Sequence, residues 1–337
     1  MDSIKKVLQA YSIYPHTIDK ITDRIYQVSD GQSDYALKRS KLSMDKLTNW
    51  ENSYQLAFSH NLSSVLPVYL TNDGNLYKNS ENDIFYLTPW IDNMDTNINK
   101  QTMEQFYRNI GKIHAKTKQE QMIQTEALKR NFYTYMKYCE DTLIHLLDFV
   151  EQFEKNRYMS PFELLVCTQF RELEYGLKEI NKRIEQFIDL EEEKITWNYS
   201  LCHGDLDFSH MLTSNQSYLI NFENATYESA AMDLAIFFKN EVADYDSDTE
   251  LFIDLFSLYM DANKLTTNEL QLLVIHLLNP AEYFSIVQGY VNGNDQDSMI
   301  ENVIQLQHVY RKFLFGIQLS SHIENEYETI TFDDPES

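Results

Sequence analysis

A chain of 337 residues with 43% hydrophobic content can bury a full core and is long for one domain, so a globular protein of two lobes is expected. Lys+Arg 28 against Asp+Glu 52 leaves a formal charge of −24, a surface that repels phosphate backbones and anionic headgroups and so argues against nucleic acid and membrane partners. A small anion such as ATP stays admissible, because a few cations focused in one cleft outweigh a distant net charge.

The opening, MDSIKKVLQAYSIYPH, carries charges where a secretory signal needs an unbroken apolar run. No stretch reads as long enough for a membrane span, so the expectation is a cytoplasmic protein. Thr17 to Lys38 holds short runs rich in Ile, Tyr and Val, broken by the hairpin signature Asp30-Gly31. Asn49 to His60 places Trp50, Tyr54, Ala57 and Phe58 at helical spacing, after which VLPVYLT, Asp73-Gly74 and NDIFYLTPWI return to strand and turn signals. At Lys100 the pattern changes: Met103, Phe106, Tyr107, Ile110, Ile113 and His114 share one helix face, and His114 reads as core. Thr125 to Glu193 reads as a charged helical pair that leads through the acidic run DLEEEK to WNYSLCHG. Beyond Asp233 helices resume, with Phe252, Leu255, Phe256, Tyr259 and Met260 on one face and Thr266 with Glu269 as a capping box. The end, TITFDDPES, reads as a frayed acidic tail. Cys139, Cys167 and Cys202 form no C-x-x-C pair and have no histidine at ligand spacing, so they read as reduced, buried thiols.

The chemistry concentrates in LCHGDLDFSHMLTSNQSYLINFENATYESAAMDLA, Leu201 to Ala235. The order is His-Gly-Asp, a candidate metal ligand five positions after the Asp, an apolar strand, Ile-Asn-Phe-Glu, and an Asp-Leu-Ala helix start. This order resembles the catalytic loop and metal strand of the aminoglycoside and choline phosphotransferases. With YALKRS, LTNDGNLY and NPAEYFSIVQGY the resemblance spans most of the chain and is nearest to the CotS family of bacterial spore-coat proteins. It implies an α+β, protein-kinase-like two-lobed fold. A small β-rich N-terminal lobe would cover residues 1–93 and end in the hinge TPWIDN, Thr88 to Asn93, with Trp90 packing there; a larger, mainly helical C-terminal lobe would cover 94–328, followed by the tail 329–337.

By that alignment Asp205 stands where the catalytic base lies, Asn221 where the strand's metal-binding Asp lies, and His210 where the Asn ligand lies. Lys38 takes the place of the phosphate-contacting lysine and Glu51 that of its partner acid, with Asp45 as a rival; Gly31 is the one glycine of the loop VSDGQSD, where a phosphate-cradling loop normally has several, so phosphate gripping reads as poor. Lys38, Asp205 and Asn221 are expected to face one cleft. Phosphoryl transfer is mostly positioning and charge neutralisation, with magnesium held by hard oxygen ligands. Asn221 brings no charge and His210 brings nitrogen, which magnesium binds poorly. Asp207 and Glu223 are the carboxylates that would rescue the metal in a rearranged site; Asp233 reads as structural. Implied cofactors are ATP and magnesium at a degenerate site. Three readings follow: a coat-associated pseudokinase with a binding or scaffold role, an active small-molecule phosphotransferase, and a nucleotide-binding regulator without turnover. The resemblance implies production in the mother cell and association with other spore-coat proteins.

Overall fold

In the computed structural model, residues 2–81, 83–92, 98–293 and 298–328 are described. Asn93 of the expected hinge and the acidic tail from residue 329 lie outside them. The chain folds into two compact units, one drawn from Met1–Lys118, Ser200–Glu228 and Asp261–Asn263, the other from Gln119–Tyr199, Ser229–Met260 and Lys264–Ser337.

In the first unit, side-chain alternation determines what the sheet presents. Strands β1 (Thr17–Lys20), β2 (Ile25–Ser29), β3 (Asp34–Ser40), β4 (Lys78–Ser80) and β5 (Asp83–Pro89) form a five-stranded antiparallel sheet of order β1-β2-β3-β5-β4. Successive side chains point to opposite faces. Val28, Leu37, Phe85 and Leu87 therefore share one face, where Ile4, Val7 and Leu8 of helix α1 (Asp2–Gln9) cover them. Those three residues sit at the spacing of a helix face. The opening, without the apolar run of a secretory signal, thus forms a helix that was not expected. Lys38 and Tyr86, paired directly across β3 and β5, take the opposite face. There helix α2 (Met44–Ser59) buries Trp50, whose ring centroid lies 5.1 Å from those of both Tyr54 and Tyr86. Helix α3 (Lys100–Thr117) buries the expected face, His114 included, and is capped by Asn99, which accepts from the Thr102 amide.

The second unit is mainly helical. The expected helical pair is α4 (Thr125–Glu154) and α5 (Pro161–Ile188), the latter opened by a Ser160/Glu163 capping box with Pro161. Phe132 near the start of α4 stacks on Phe187 near the end of α5 at 4.3 Å, so the two helices run antiparallel. A polar strand, β6 (Gln119–Gln124), pairs with Lys194–Tyr199 of β7 (Lys194–Cys202); its lack of alternating apolar residues hid it from the sequence reading. Helices α6 (Ala230–Glu241), α7 (Thr249–Ala262), α8 (Thr267–Leu277), α9 (Ala281–Val291) and α10 (Met299–Ile323) follow. Asp233 is buried in the first turn of α6, and the Thr266/Glu269 capping box opens α8. Against expectation, Thr267–Val291 is long and apolar enough to cross a membrane by length and composition, with mean hydropathy 1.3. It is divided into α8 and α9 around Asn279-Pro280, and 61% of its most apolar window is buried within the protein. No disulfide joins Cys139, Cys167 or Cys202; Cys139 and Cys202 are buried, and Cys167 is half-buried.

Candidate active site

The segments on either side of the chemical residues are fastened to α3. The Leu201 amide donates to Thr117 Oγ1 at 2.9 Å, the Tyr227 hydroxyl donates to the Thr117 carbonyl at 2.8 Å, and Phe208 packs edge-on against Phe106 at 4.9 Å. His203 is fully buried and its Nε2–H donates to the Ile220 carbonyl at 2.8 Å. Gly204 has φ +78°, and a Cβ there would lie 2.1 Å from the Asn224 carbonyl oxygen, so only glycine lets the two segments come this close. Strands β8 (Met211–Thr213) and β9 (Ser217–Leu219) form the hairpin that carries the chain to Asn221. Asn221 adopts the left-handed conformation, φ 69° and ψ 41°, which asparagine tolerates better than most side chains.

Around Asn221 a single network connects residues far apart in sequence. Lys38 Nζ donates to Glu223 Oε1 at 2.8 Å and to the amide oxygen of Asn221. The Tyr86 hydroxyl donates to Glu223 Oε1 at 3.1 Å, and the Arg24 guanidinium lies 3.5 Å from Glu223 Oε2. The Asn221 amide nitrogen lies 2.8 Å from His210 Nε2, and His210 Nδ1 lies 2.8 Å from the Asp205 carbonyl oxygen. Lys38 has only protons to offer, so the Asn221 oxygen must face it and the NH₂ must face His210. His210 Nε2 is then an acceptor, the ring is neutral, and the remaining proton sits on Nδ1, donated to the carbonyl. Burial works against the charge on Glu223, but the Lys38 ammonium, the Tyr86 hydroxyl and Arg24 outweigh it and hold the carboxyl below its ordinary pKa. Burial lowers the pKa of Lys38, with Glu223 pulling it back up.

Beside this network opens a cavity of about 380 Å³ lined by Arg24, Lys41, Leu42, Ser43, Lys46, Asp205, Asn221, Glu223 and Asn224. Lys46 Nζ donates to Asn224 Oδ1 at 3.0 Å. Asp205, Asn221 and Glu223 thus share one space, and Lys38 bonds to two residues of its lining.

Other expected residues are placed differently. Glu51 does not supply the acid for Lys38; Glu223 does. Glu51 instead lines a separate groove of about 910 Å³ with Tyr54, Phe58, Leu70 and Tyr218. Gly31 sits in the β2–β3 turn at φ +87° against the His16 ring, and the amides of Gln32 and Ser33 donate to Asp30 Oδ1 at 2.9 and 2.8 Å, so this turn spends its donors on its own carboxylate. Asp207 caps the short 3-10 turn Phe208–His210, accepting from the His210 amide at 3.1 Å and the Ser209 hydroxyl at 2.5 Å. Trp90 donates its amide to the Asp34 carbonyl at 3.0 Å and its indole N–H to Asp92 at 2.8 Å. Arg24, Lys41, Lys46 and Tyr86 were not anticipated. The one sequence signal, for Lys41 and Lys46 alone, is a concentration of cations from Lys38 to Lys46 in an otherwise acidic chain.

The N-terminal sheet, the His-Gly-Asp loop and the strand that brings Asn221 to Lys38 define the protein-kinase-like fold of phosphotransferases. The phosphotransferase enzyme family model, APH, matches residues 18–259, and the chain belongs to that family. Among solved structures, the aminoglycoside phosphotransferase of Alicyclobacillus acidocaldarius subsp. acidocaldarius DSM 446 is similar at TM-score 0.68 and 17% identity, covering 95% of this chain and 96% of that one. The AMP-bound complex of spectinomycin phosphotransferase APH(9)-Ia is similar at TM-score 0.56 and 13% identity, covering 94% and 96%. A curated relative, probable choline kinase 3 of Arabidopsis thaliana, is 31% identical over 100 residues, which are 28% of this chain and 27% of that protein's length.

Magnesium, which the family chemistry implies, requires oxygen donors, chiefly carboxylates. The Asn221 oxygen is engaged by Lys38, His210 offers nitrogen, Glu223 is compensated by Lys38 and Arg24, and Asp207 is a cap. That leaves Asp205 as the one further carboxylate of the cavity lining, and as arranged this donor set does not fit magnesium, which takes several oxygen ligands.

Proposed function

We propose that this chain is a degenerate phosphotransferase of the CotS spore-coat type, a pseudokinase that serves in the coat as a binding or scaffold protein. The observation that carries the reading is at Asn221, which by the sequence resemblance takes the place of the metal carboxylate: its two amide atoms are committed to Lys38 and His210. Asp205 remains on the cavity wall as a candidate base, which favours a second reading, an active small-molecule phosphotransferase. A nucleotide-holding regulator without turnover is the third. The AMP complex of a relative with the same fold supports a nucleotide ligand for either of the last two.

The test is a turnover assay with ATP and magnesium or manganese, alongside metal titration of three proteins: unmodified, Asn221→Asp, and Asn221→Asp with His210→Asn. The unmodified chain is expected to transfer no phosphoryl group. Magnesium affinity should rise in the first variant and further in the second, by about 1–3 kcal/mol in all, because a carboxylate and then an oxygen ligand are restored. Robust turnover by the unmodified chain, abolished by Asp205→Ala, would overturn the pseudokinase reading. Spore-coat association is tested by following a tagged copy through sporulation; a copy that stays in the mother-cell cytoplasm would remove the coat role.

A further inference from the structure

We propose that the cavity at the start of α2 is a polyphosphate site that works without a divalent cation, with Arg24, Lys41 and Lys46 supplying the positive charge that a metal would bring. The proposal rests on the reading that Asn221 and His210 no longer hold a metal, and it names what takes the metal's place.

In a chain of formal charge −24, four cationic side chains, Arg24, Lys38, Lys41 and Lys46, gather around two carboxylates, Asp205 and Glu223. Lys38 and Arg24 lie against Glu223. Lys46 donates to a neutral amide oxygen, that of Asn224, and among the described residues neither Lys41 nor Lys46 forms an ion pair with a carboxylate. This side of the cavity is therefore cationic and open to an anion. Its volume of about 380 Å³ lies at the lower end of the roughly 300–1,000 Å³ typical of small-molecule sites, which suits a run of phosphates better than a whole nucleotide. The Gln32 and Ser33 amides, committed to Asp30, leave little of the backbone grip that a glycine-rich loop provides, so phosphate recognition passes to side chains. A magnesium ion carried in with the phosphates would meet Lys38, Lys41, Lys46 and Arg24, and with Glu223 paired to Lys38 and Arg24 it would find Asp205 as the one further carboxylate of the lining. Metal should therefore weaken binding.

Isothermal titration of the full chain with inorganic tripolyphosphate and with ATP, in chelator and in excess magnesium, tests this. Both probes should bind in chelator and bind severalfold more weakly with magnesium. Lys41→Ala with Lys46→Ala should weaken tripolyphosphate by about tenfold or more, as expected for two lost charge-assisted contacts, while the ligand-free melting temperature stays unchanged because both side chains are exposed. Asp205→Asn, which removes a repelling carboxylate, should tighten it. Lys178→Ala, whose side chain pairs with Glu174 on α5, should have no effect. Binding that appears only with magnesium, absence of binding in chelator, or an unchanged affinity in the double variant would overturn the proposal. Phosphoryl transfer by the unmodified chain would overturn the pseudokinase reading alone, since binding in chelator is measured separately.

Discussion

Helix α2 borders two depressions of opposite character. At its N-terminal end, Ser43 and Lys46 help to line the cavity of about 380 Å³ that contains Asp205, Asn221 and Glu223. Along its middle, Glu51, Tyr54 and Phe58 line the groove of about 910 Å³, whose other walls include Val65, Val68 and Leu70. Volume alone would choose the groove. Chemistry chooses the cavity, because there cations, a candidate base and a buried carboxylate converge, whereas the groove offers mainly apolar surface around one carboxylate. The helix itself separates them. The separation runs along its length: Ser43 and Lys46 stand at its N-terminal end, and Glu51, Tyr54 and Phe58 follow from its middle onward.

The sharpest way to break this contrast is at Glu223. Glu223→Ala leaves the Lys38 ammonium, only 17% exposed, beside Asn221 with no compensating charge. A loss of about 3–5 kcal/mol is expected by denaturant unfolding, the cost of orphaning one member of a buried pair. The pH dependence carries a sign. The Glu223 pKa is lower in the folded chain than its ordinary value of 4.5, so its contribution is complete above that value and is lost as pH falls through the folded pKa. Unmodified protein should therefore lose stability on acidification more steeply than Glu223→Gln. Equal slopes would mean that Glu223 is not held ionised by Lys38.

Gly204 comes next. Its positive φ and the 2.1 Å approach of a built Cβ to the Asn224 carbonyl mean that Gly204→Ala must displace either the loop bearing Asp205 or the segment bearing Glu223. The expected cost is about 2 kcal/mol in stability, with loss of polyphosphate binding as the cavity walls separate. Retained binding would show that the loop tolerates the shift.

What was legible in the sequence follows from these distances along the chain. Lys38, Asp205, His210 and Asn221 were readable because each sits in a local signature, a strand after a hairpin turn or a loop of fixed order. The α3 face and the Thr266 capping box were readable for the same reason, since helical periodicity is local. Arg24, Tyr86 and Lys46 meet Glu223 or Asn224 across 199, 137 and 178 residues, and no local pattern reports such pairings. The left-handed backbone at Asn221 was equally hidden, although asparagine there is chemically apt. At Gly31 the turn was correctly located and a lone glycine already argued against a phosphate cradle, but the competition of Asp30 for the loop amides depends on side-chain placement.

The smallest expected effect belongs to Glu51, and it tests the comparison from the other side. Were Glu51 the acid of Lys38, its removal would strand a buried ammonium and cost several kcal/mol, as for Glu223. In the structure Glu223 fills that role, with Oε1 at 2.8 Å, and Glu51 is half-buried on the groove wall. Glu51→Ala should therefore change stability by no more than about 0.5 kcal/mol, since alanine's better helix propensity offsets what little the carboxylate contributes. Tripolyphosphate affinity should be unchanged, because the residue lines the groove and not the cavity. Unfolding curves and the chelator titration together decide the matter. A loss matching that of Glu223→Ala would return Glu51 to Lys38 and merge the two depressions into one functional site; near-silence in both measurements would separate the charged end of α2 from its apolar middle.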